Sequence, residues 1–193
     1  MTENNYDDLL AKAICFAAQQ HSGQVRKGSN IPYIVHALEA AAIVAAMTED
    51  RQVIAAAVLH DTLEDCEGVS PDLLHDLFGE KISSLVMEES EIKQQDAAGS
   101  WKDRKRMTLD GLNDPFCSKE HKILTLGDKL SNLRAMYRDE LMFGDSLWER
   151  FNQKDKSEHK WYYTGIANAL TVLDEYPAMQ EYVQLLGKVF PDQ

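Results

Sequence analysis

Apolar residues recur at helical spacing along almost the whole chain. Leu9, Leu10, Ala13, Ile14, Ala17 and Ala18 fall one, three or four apart, which lines them up on one stripe of a helix. That helix is expected to stop near Gly23, and a polar loop with glycine runs from Gln24 to Pro32. The next helix, about Ile34 to Met47, is dense in alanine, so a neighbouring helix can approach it closely. Arg51 to about Leu63 is another. Its middle, Val53 to Leu59, is apolar on every side, which places it centrally in the core. Ser70-Pro71-Asp72 carries the signals of a helix start: a serine cap, proline in the first position and acid in the first turn. Gly79 ends that helix. Further helices are predicted over Lys81 to about Gln95, Trp101 to Leu112 and Lys119 to about Asp139, with a break at Asp96 to Ser100 and a stop at Asn113-Asp114-Pro115. Gly144 interrupts the chain, and two or three helices complete it, with Pro177 at a boundary. No segment alternates with period two. The pattern therefore predicts an all-α bundle of roughly nine helices. No repeat or Ser/Gly-rich linker divides it, so a single domain over 1–193 is expected.

Composition narrows the class. The chain has 193 residues, a length that one core can accommodate. Lys and Arg number 20 against 32 Asp and Glu, a formal charge of −12. That surplus of acid argues against broad nucleic-acid binding, which needs clustered cations, and against an anionic membrane surface. A small anionic ligand is still compatible, since a few local Lys and Arg suffice to hold one. Cys15, Cys66 and Cys117 are far apart and form no CxxC pair, which fits reduced thiols in a cytosolic protein. Met1 to Leu10 is acidic and lacks the basic start of a signal peptide. The longest apolar run, Ala40 to Met47, is far short of the ~20 residues of a membrane span. A soluble, cytoplasmic protein is expected.

Candidate chemistry concentrates at His36, His60-Asp61 and Asp128. An adjacent His and Asp at the end of the most apolar helix need a partner, because a buried carboxylate costs several kcal/mol unless it is paired or metal-bound. Imidazole and carboxylate together suit Mn, Fe, Zn or a similar divalent ion. The dipeptide alone also fits an ordinary helix end, with His60 near the dipole and Asp61 in solvent. Glu64 and Asp65 follow Asp61 by three and four residues, so a continuing helix would gather three carboxylates on one face. Such a face repels itself without a cation; the alternative is a solvated acidic turn. Asp128 and Asn132, four apart, share a face of a helix whose apolar stripe is Leu126, Leu130 and Leu133. They fit either a ligand and an amide facing one cavity or a surface pairing. Arg26-Lys27, in the loop before His36, fits a phosphate contact or a solvated turn.

Four segments stand in a recognisable order: Gly23-Gln-Val-Arg-Lys27, Pro32-Tyr-Ile-Val-His36, His60-Asp-Thr-Leu-Glu-Asp65 and Asp128-Lys-Leu-Ser-Asn132. From about Leu9 to Arg138 the chain resembles the HD-superfamily hydrolase domain of Rel/Spo alarmone enzymes, in its stand-alone form, the small alarmone hydrolases. The resemblance implies a helical HD-domain bundle around one divalent ion, usually Mn²⁺, held by His36, His60, Asp61 and Asp128. It implies that Glu64 and Asp65 orient and activate the attacking water, and that Arg26, Lys27 and Asn132 contact the nucleotide. Arg150 is the best match for a further nucleotide-contacting arginine, and Tyr162 or Tyr163 for a tyrosine. Core packing is an equal alternative for these later residues. The implied reaction removes pyrophosphate from the 3′ position of guanosine tetra- or pentaphosphate, (p)ppGpp, and so ends a stringent-response signal. It implies degradation and no synthesis. Ala37, Gly127, Lys129 and Ser131 depart from the family's frequent Pro, Ala, Arg and His; none removes a ligand. The same scaffold also serves other nucleotides, such as the 2′-phosphate of NADPH or a nucleoside monophosphate, and a non-catalytic nucleotide sensor is a more distant alternative. Lys102-Asp103-Arg104-Lys105-Arg106, the densest positive stretch, reads as a solvated helix face or as a rim that attracts polyphosphate.

Overall fold

The computed structural model describes residues 9–90 and 101–191. Among them lie ten α-helices: α1 (Leu9–Gln20), α2 (Ile34–Ala45), α3 (Arg51–Leu59), α4 (Thr62–Asp65), α5 (Pro71–Phe78), α6 (Glu80–Glu89), α7 (Trp101–Leu112), α8 (Lys119–Phe143), α9 (Lys156–Ala169) and α10 (Pro177–Val189). Two 3₁₀ segments, Gly144–Arg150 and Thr171–Leu173, join the later ones. No strand occurs among the described residues; one isolated bridge pairs Val25 with Pro32. The all-α expectation holds. The expected end of the Lys81 helix at Gln95 and the break at Asp96–Ser100 lie outside the described residues.

Local chemistry explains most boundaries. The Asp50, Ser70, Ser118 and Asp155 side chains each accept a backbone N–H in the first turn of the helix that follows, satisfying donors that have no partner within the helix. Pro71 and Pro177 open their helices, where a missing N–H costs nothing. Two boundaries differ from the sequence reading. The helix expected to run from Arg51 to Leu63 stops at Leu59, because side chains claim its last carbonyls: the Thr62 hydroxyl donates to the Leu59 carbonyl at 2.7 Å and His60 Nδ1 reaches the Ala57 carbonyl at 2.8 Å. His60 and Asp61 thus sit in a turn before the single turn of α4. The other difference is α8, which continues past Asp139 until Gly144, whose φ of 57° ends it in a conformation other residues rarely adopt.

The core is built around α3 and α8. Every residue from Val53 to Leu59 except Ile54 is fully buried. α2 packs on both α3 and α8, α1 covers α3, α6 bridges α3 and α8, α10 lies along α8, and α7 pairs with α9. The α2–α8 crossing is close. A Cβ at Gly127 would lie 2.6 Å from a methyl of Val44 and 2.9 Å from the Ala40 carbonyl oxygen. The alanines of α2 and the glycine of α8 therefore set how near His36 and Asp128 can come. No helix among the described residues is long and apolar enough to cross a membrane.

Gly127→Ala tests that crossing. Alanine gains up to ~1 kcal/mol of helix propensity, but overpacking against a backbone carbonyl costs about 1–3 kcal/mol. The expected outcome is a net loss of about 1 kcal/mol, read as a lower urea midpoint at unchanged slope.

Candidate metal centre and cleft

Two helices and a turn bring the four candidate ligands close together. His36 stands in the first turn of α2, His60 and Asp61 in the turn after α3, and Asp128 in the middle of α8. His36 Nε2 lies 3.1 Å from Asp128 Oδ1 and 3.5 Å from Asp61 Oδ2. His60 Nε2 lies 3.0 Å from Asp61 Oδ2 and 3.6 Å from Asp128 Oδ1. His36, His60 and Asp128 offer atoms that all fall within 4.8 Å of one another. Asp61 stands outside that set of three but beside it, in contact with both histidines.

Proton placement decides what this cluster can hold. His60 Nδ1 faces the Ala57 carbonyl, which can only accept, so Nδ1 carries a hydrogen and in the neutral ring Nε2 is the nitrogen with the lone pair. Ser131 Oγ donates its one proton to Glu39 Oε2 at 2.7 Å, so at its 2.8 Å contact with His36 the ring Nδ1 must donate. Both Nε2 atoms therefore face the two carboxylates, and in the neutral rings they hold the lone pairs that an ion would take. His60 Nε2 is buried against Asp61 and Asp128. Burial works against a charged His60, yet Asp61 and Asp128 hold its pKa well above the ordinary value. Burial also opposes ionisation of Asp61 and Asp128. The charge on His60 outweighs it at Asp61, and Lys129 with the two histidines outweighs it at Asp128, so both carboxyls sit well below their usual range. A positive charge is what the site requires, and two imidazoles with two carboxylates are a donor set suited to a divalent ion.

Surrounding groups orient the ligands. The Tyr33 hydroxyl donates to Asp61 Oδ2 at 2.6 Å, and burial followed by the Asp61 charge pushes its phenol far above the ordinary range, so it stays a donor. Asn132 donates to Asp128 Oδ1 at 2.6 Å and accepts from Arg26 at 2.7 Å. Lys129 bonds the outer oxygen of Asp128 and meets buried Glu89 at 3.2 Å. Glu89 also accepts from Thr125 at 2.5 Å.

A cleft of about 340 Å³ opens beside the centre, lined by Gln24, Val25, Lys27, Tyr33 and Asp65. The Arg26 and Tyr33 backbone amides bond Ile31 and Gln24, which pins the loop that carries Arg26 and Lys27. The Arg26 guanidinium stacks 5.6 Å from the Tyr33 ring centre. α4 sets Glu64, half-buried, and Asp65, exposed at the cleft, one turn beyond Asp61. Arg150 comes from the far 3₁₀ segment to lie over Gly28, where a Cβ would meet its Cδ at 2.3 Å, and it meets Asp139 at 3.4 Å. Tyr162 is placed differently. It is buried between α7 and α9, against Trp101 and Tyr163 and beneath Lys105.

The sequence reading did not assign Tyr33, Glu39 or Gln24. Helical spacing was the available signal for two of them, since Tyr33 and Glu39 lie three residues either side of His36.

Comparison with known proteins points the same way. The HD-domain family pattern matches residues 13–142. Over 134 residues the chain is 36% identical to the guanosine-3′,5′-bis(diphosphate) 3′-pyrophosphohydrolase MESH1 of Xenopus tropicalis, a match spanning 67% of this chain and 70% of that protein. The Danio rerio counterpart is 34% identical over 133 residues, with the same shares of 67% and 70%. The GTP pyrophosphokinase rsh of Brucella ovis is 34% identical over 132 residues, 66% of this chain but 17% of that much longer protein. Among solved structures, a metazoan ortholog of SpoT described as hydrolysing ppGpp superposes with a TM-score of 0.74 over 93% of this chain and 94% of its own; at 22% identity the likeness is one of fold. The Listeria monocytogenes EGD-e protein lmo0812 gives a TM-score of 0.71 at 28% identity, over 81% of this chain and 99% of its own.

Asp61→Ala tests the centre. Loss of residues that merely support a ligand weakens metal binding by roughly 10–100-fold, so loss of a ligand is expected to exceed about 100-fold. Titration calorimetry with MnCl₂ measures it; unchanged uptake would remove Asp61 from the ligand set.

Proposed function

Since the chain belongs to the HD-domain family, we propose that it is a metal-dependent hydrolase that removes pyrophosphate from the 3′ position of (p)ppGpp, leaving GDP or GTP. The observation that carries this reading is the juxtaposition of the four-ligand centre with a cleft where cationic Lys27 and acidic Asp65 flank Tyr33. A substrate with adjacent phosphates needs that combination of a cationic grip, an ion and a base. The names of the Xenopus and Danio relatives supply the substrate class.

His36, His60, Asp61 and Asp128 would hold one divalent ion, Mn²⁺ in this reading. When bound, it supplies Lewis acidity at the attacked phosphoryl group and acidifies water. Glu64 and Asp65, one turn past Asp61, take the proton from the attacking water. Water adds to the phosphorus attached to the ribose 3′ oxygen, that P–O bond breaks, the 3′ oxygen gains a proton and pyrophosphate departs. The step is a single in-line displacement with no covalent enzyme intermediate. Arg26 and Lys27 bind the polyphosphate and offset its charge as it leaves. Arg26 is aimed by two contacts, the Asn132 amide oxygen and the Tyr33 ring. Asn132 thereby links the phosphate grip to Asp128. Arg150, laid over Gly28, adds a third cation to the same edge. Tyr162, buried among aromatic rings, and its neighbour Tyr163 remain the candidates for a tyrosine contact to the nucleotide. The acidic shell of the molecule makes these few cations the local destination for an anion.

Product analysis tests the reading. Purified protein given ppGpp with MnCl₂ is expected to release GDP and pyrophosphate, resolved by anion exchange, and to release neither in EDTA. A folded, Mn²⁺-loaded chain that leaves ppGpp intact overturns it. Glu64→Ala is expected to retain Mn²⁺ affinity within about threefold and to lose 10²–10⁴-fold in kcat, the usual contribution of a positioned base. Calorimetry and initial rates check the two halves separately.

A further inference from the structure

Behind His36, on the side away from the cleft, a chain of polar contacts runs outward through α2, α8 and α10. His36 Nδ1 donates to Ser131 Oγ at 2.8 Å, and Ser131 Oγ donates to Glu39 Oε2 at 2.7 Å. The other oxygen of Glu39 accepts from Arg134 Nη1 at 3.2 Å. Arg134 in turn grips Glu181 of α10 with two bonds of 2.7 Å. Ser131 is 1% exposed, so no solvent competes at the middle of the chain.

We propose that Glu39, acting through the Ser131 hydroxyl, is a positioning residue that fixes the Nδ1–H form of His36 and strengthens its Nε2 as a ligand. This inference rests on the divalent-ion reading of the centre. A metal-binding imidazole ordinarily passes its second N–H to a carboxylate or carbonyl, which sets the tautomer and raises ligand basicity. His60 uses the Ala57 carbonyl for this. At His36 no carboxylate among the described residues is in direct contact with Nδ1, and the serine hydroxyl spans the gap. A hydroxyl whose proton is drawn to a carboxylate is a better acceptor, so the two bonds reinforce each other. The geometry also orders the protons without ambiguity. Glu39, paired with Arg134, only accepts; Ser131 has one proton to give; the remaining donor is the ring. Arg134 meets the other oxygen of Glu39, so Oε2 is the one the serine uses.

Glu39 could instead matter only as a tie between α2 and α8 through Arg134, and the test separates these roles. Mn²⁺ affinity is measured by calorimetry for the parent, Ser131→Ala, Glu39→Ala and Arg134→Gln. Ser131→Ala and Glu39→Ala are each expected to bind about 10–100-fold more weakly, while Arg134→Gln stays within about threefold of the parent. Equal losses in Glu39→Ala and Arg134→Gln overturn the inference in favour of a tie, and parental affinity in Glu39→Ala overturns it outright. A second measurement does not depend on stability: in Zn²⁺-loaded, ¹⁵N-labelled protein the His36 Nδ1–H proton is expected to exchange slowly in the parent and rapidly in Ser131→Ala. Rapid exchange in the parent overturns the inference. A parent that binds no divalent ion overturns the metal reading itself, and this inference with it; a parent that binds, alongside a Glu39→Ala that binds as well, overturns the inference alone.

Discussion

The structure turns on four lone-pair donors forced into one small volume. Two imidazole nitrogens and two carboxylate oxygens face each other at 3.0–3.6 Å, and hydrogen bonds on their far sides commit the ring protons elsewhere. With both rings neutral these groups repel, and burial sharpens the repulsion because water is not there to screen it; a proton on His60 or an ion relieves it. Many other features read as answers to that problem. Lys129 lies against one carboxylate, the Tyr33 hydroxyl against the other, and the Asn132 amide against Asp128 from the cleft side. The ring nitrogens are held from behind by a carbonyl and a serine.

Packing supplies what electrostatics alone would oppose. The ligands belong to α2, α8 and the turn after α3, and these meet only because small residues line the contact. Gly127 lets the α8 backbone run against Ala40, one turn along α2 from His36, and the alanines of α3 leave room for both neighbours. α3 and α8 are held to the core by apolar burial on either side of the polar point: Val53, Val58 and Leu59 on α3, Leu126, Leu130 and Leu133 on α8. Hydrophobic free energy spread over these helices is what holds the charged cluster in place.

Much of this was legible in the sequence, for physical reasons that differ by element. The helices carry their own stripes and caps, so Trp101–Leu112 and the Ser70 start needed no tertiary information. The end of α3 was not legible, because the carbonyls there are taken by the Thr62 and His60 side chains while Leu63 keeps the apolar pattern going. His36, His60, Asp61 and Asp128 were found from residue type and order. Their supporting contacts were not: Ser131 lies 95 residues from His36 and 92 from Glu39, and neither spacing has any local signature. Tyr162 shows the opposite difficulty. Its aromatic and basic neighbourhood looks alike in sequence whether the ring meets a ligand or packs between α7 and α9.

Because the four candidate ligands come from three separate segments, an ion at the centre would bind the folded chain and have little hold on the unfolded one. Folded-state binding stabilises by mass action, about 2.7 kcal/mol when the free ion stands at a hundred times its dissociation constant. That is a large part of the few kcal/mol by which ordinary domains resist unfolding and proteolysis. The helix crossing that assembles the site would thereby tie the lifetime of the protein in a cell to the supply of the metal it uses.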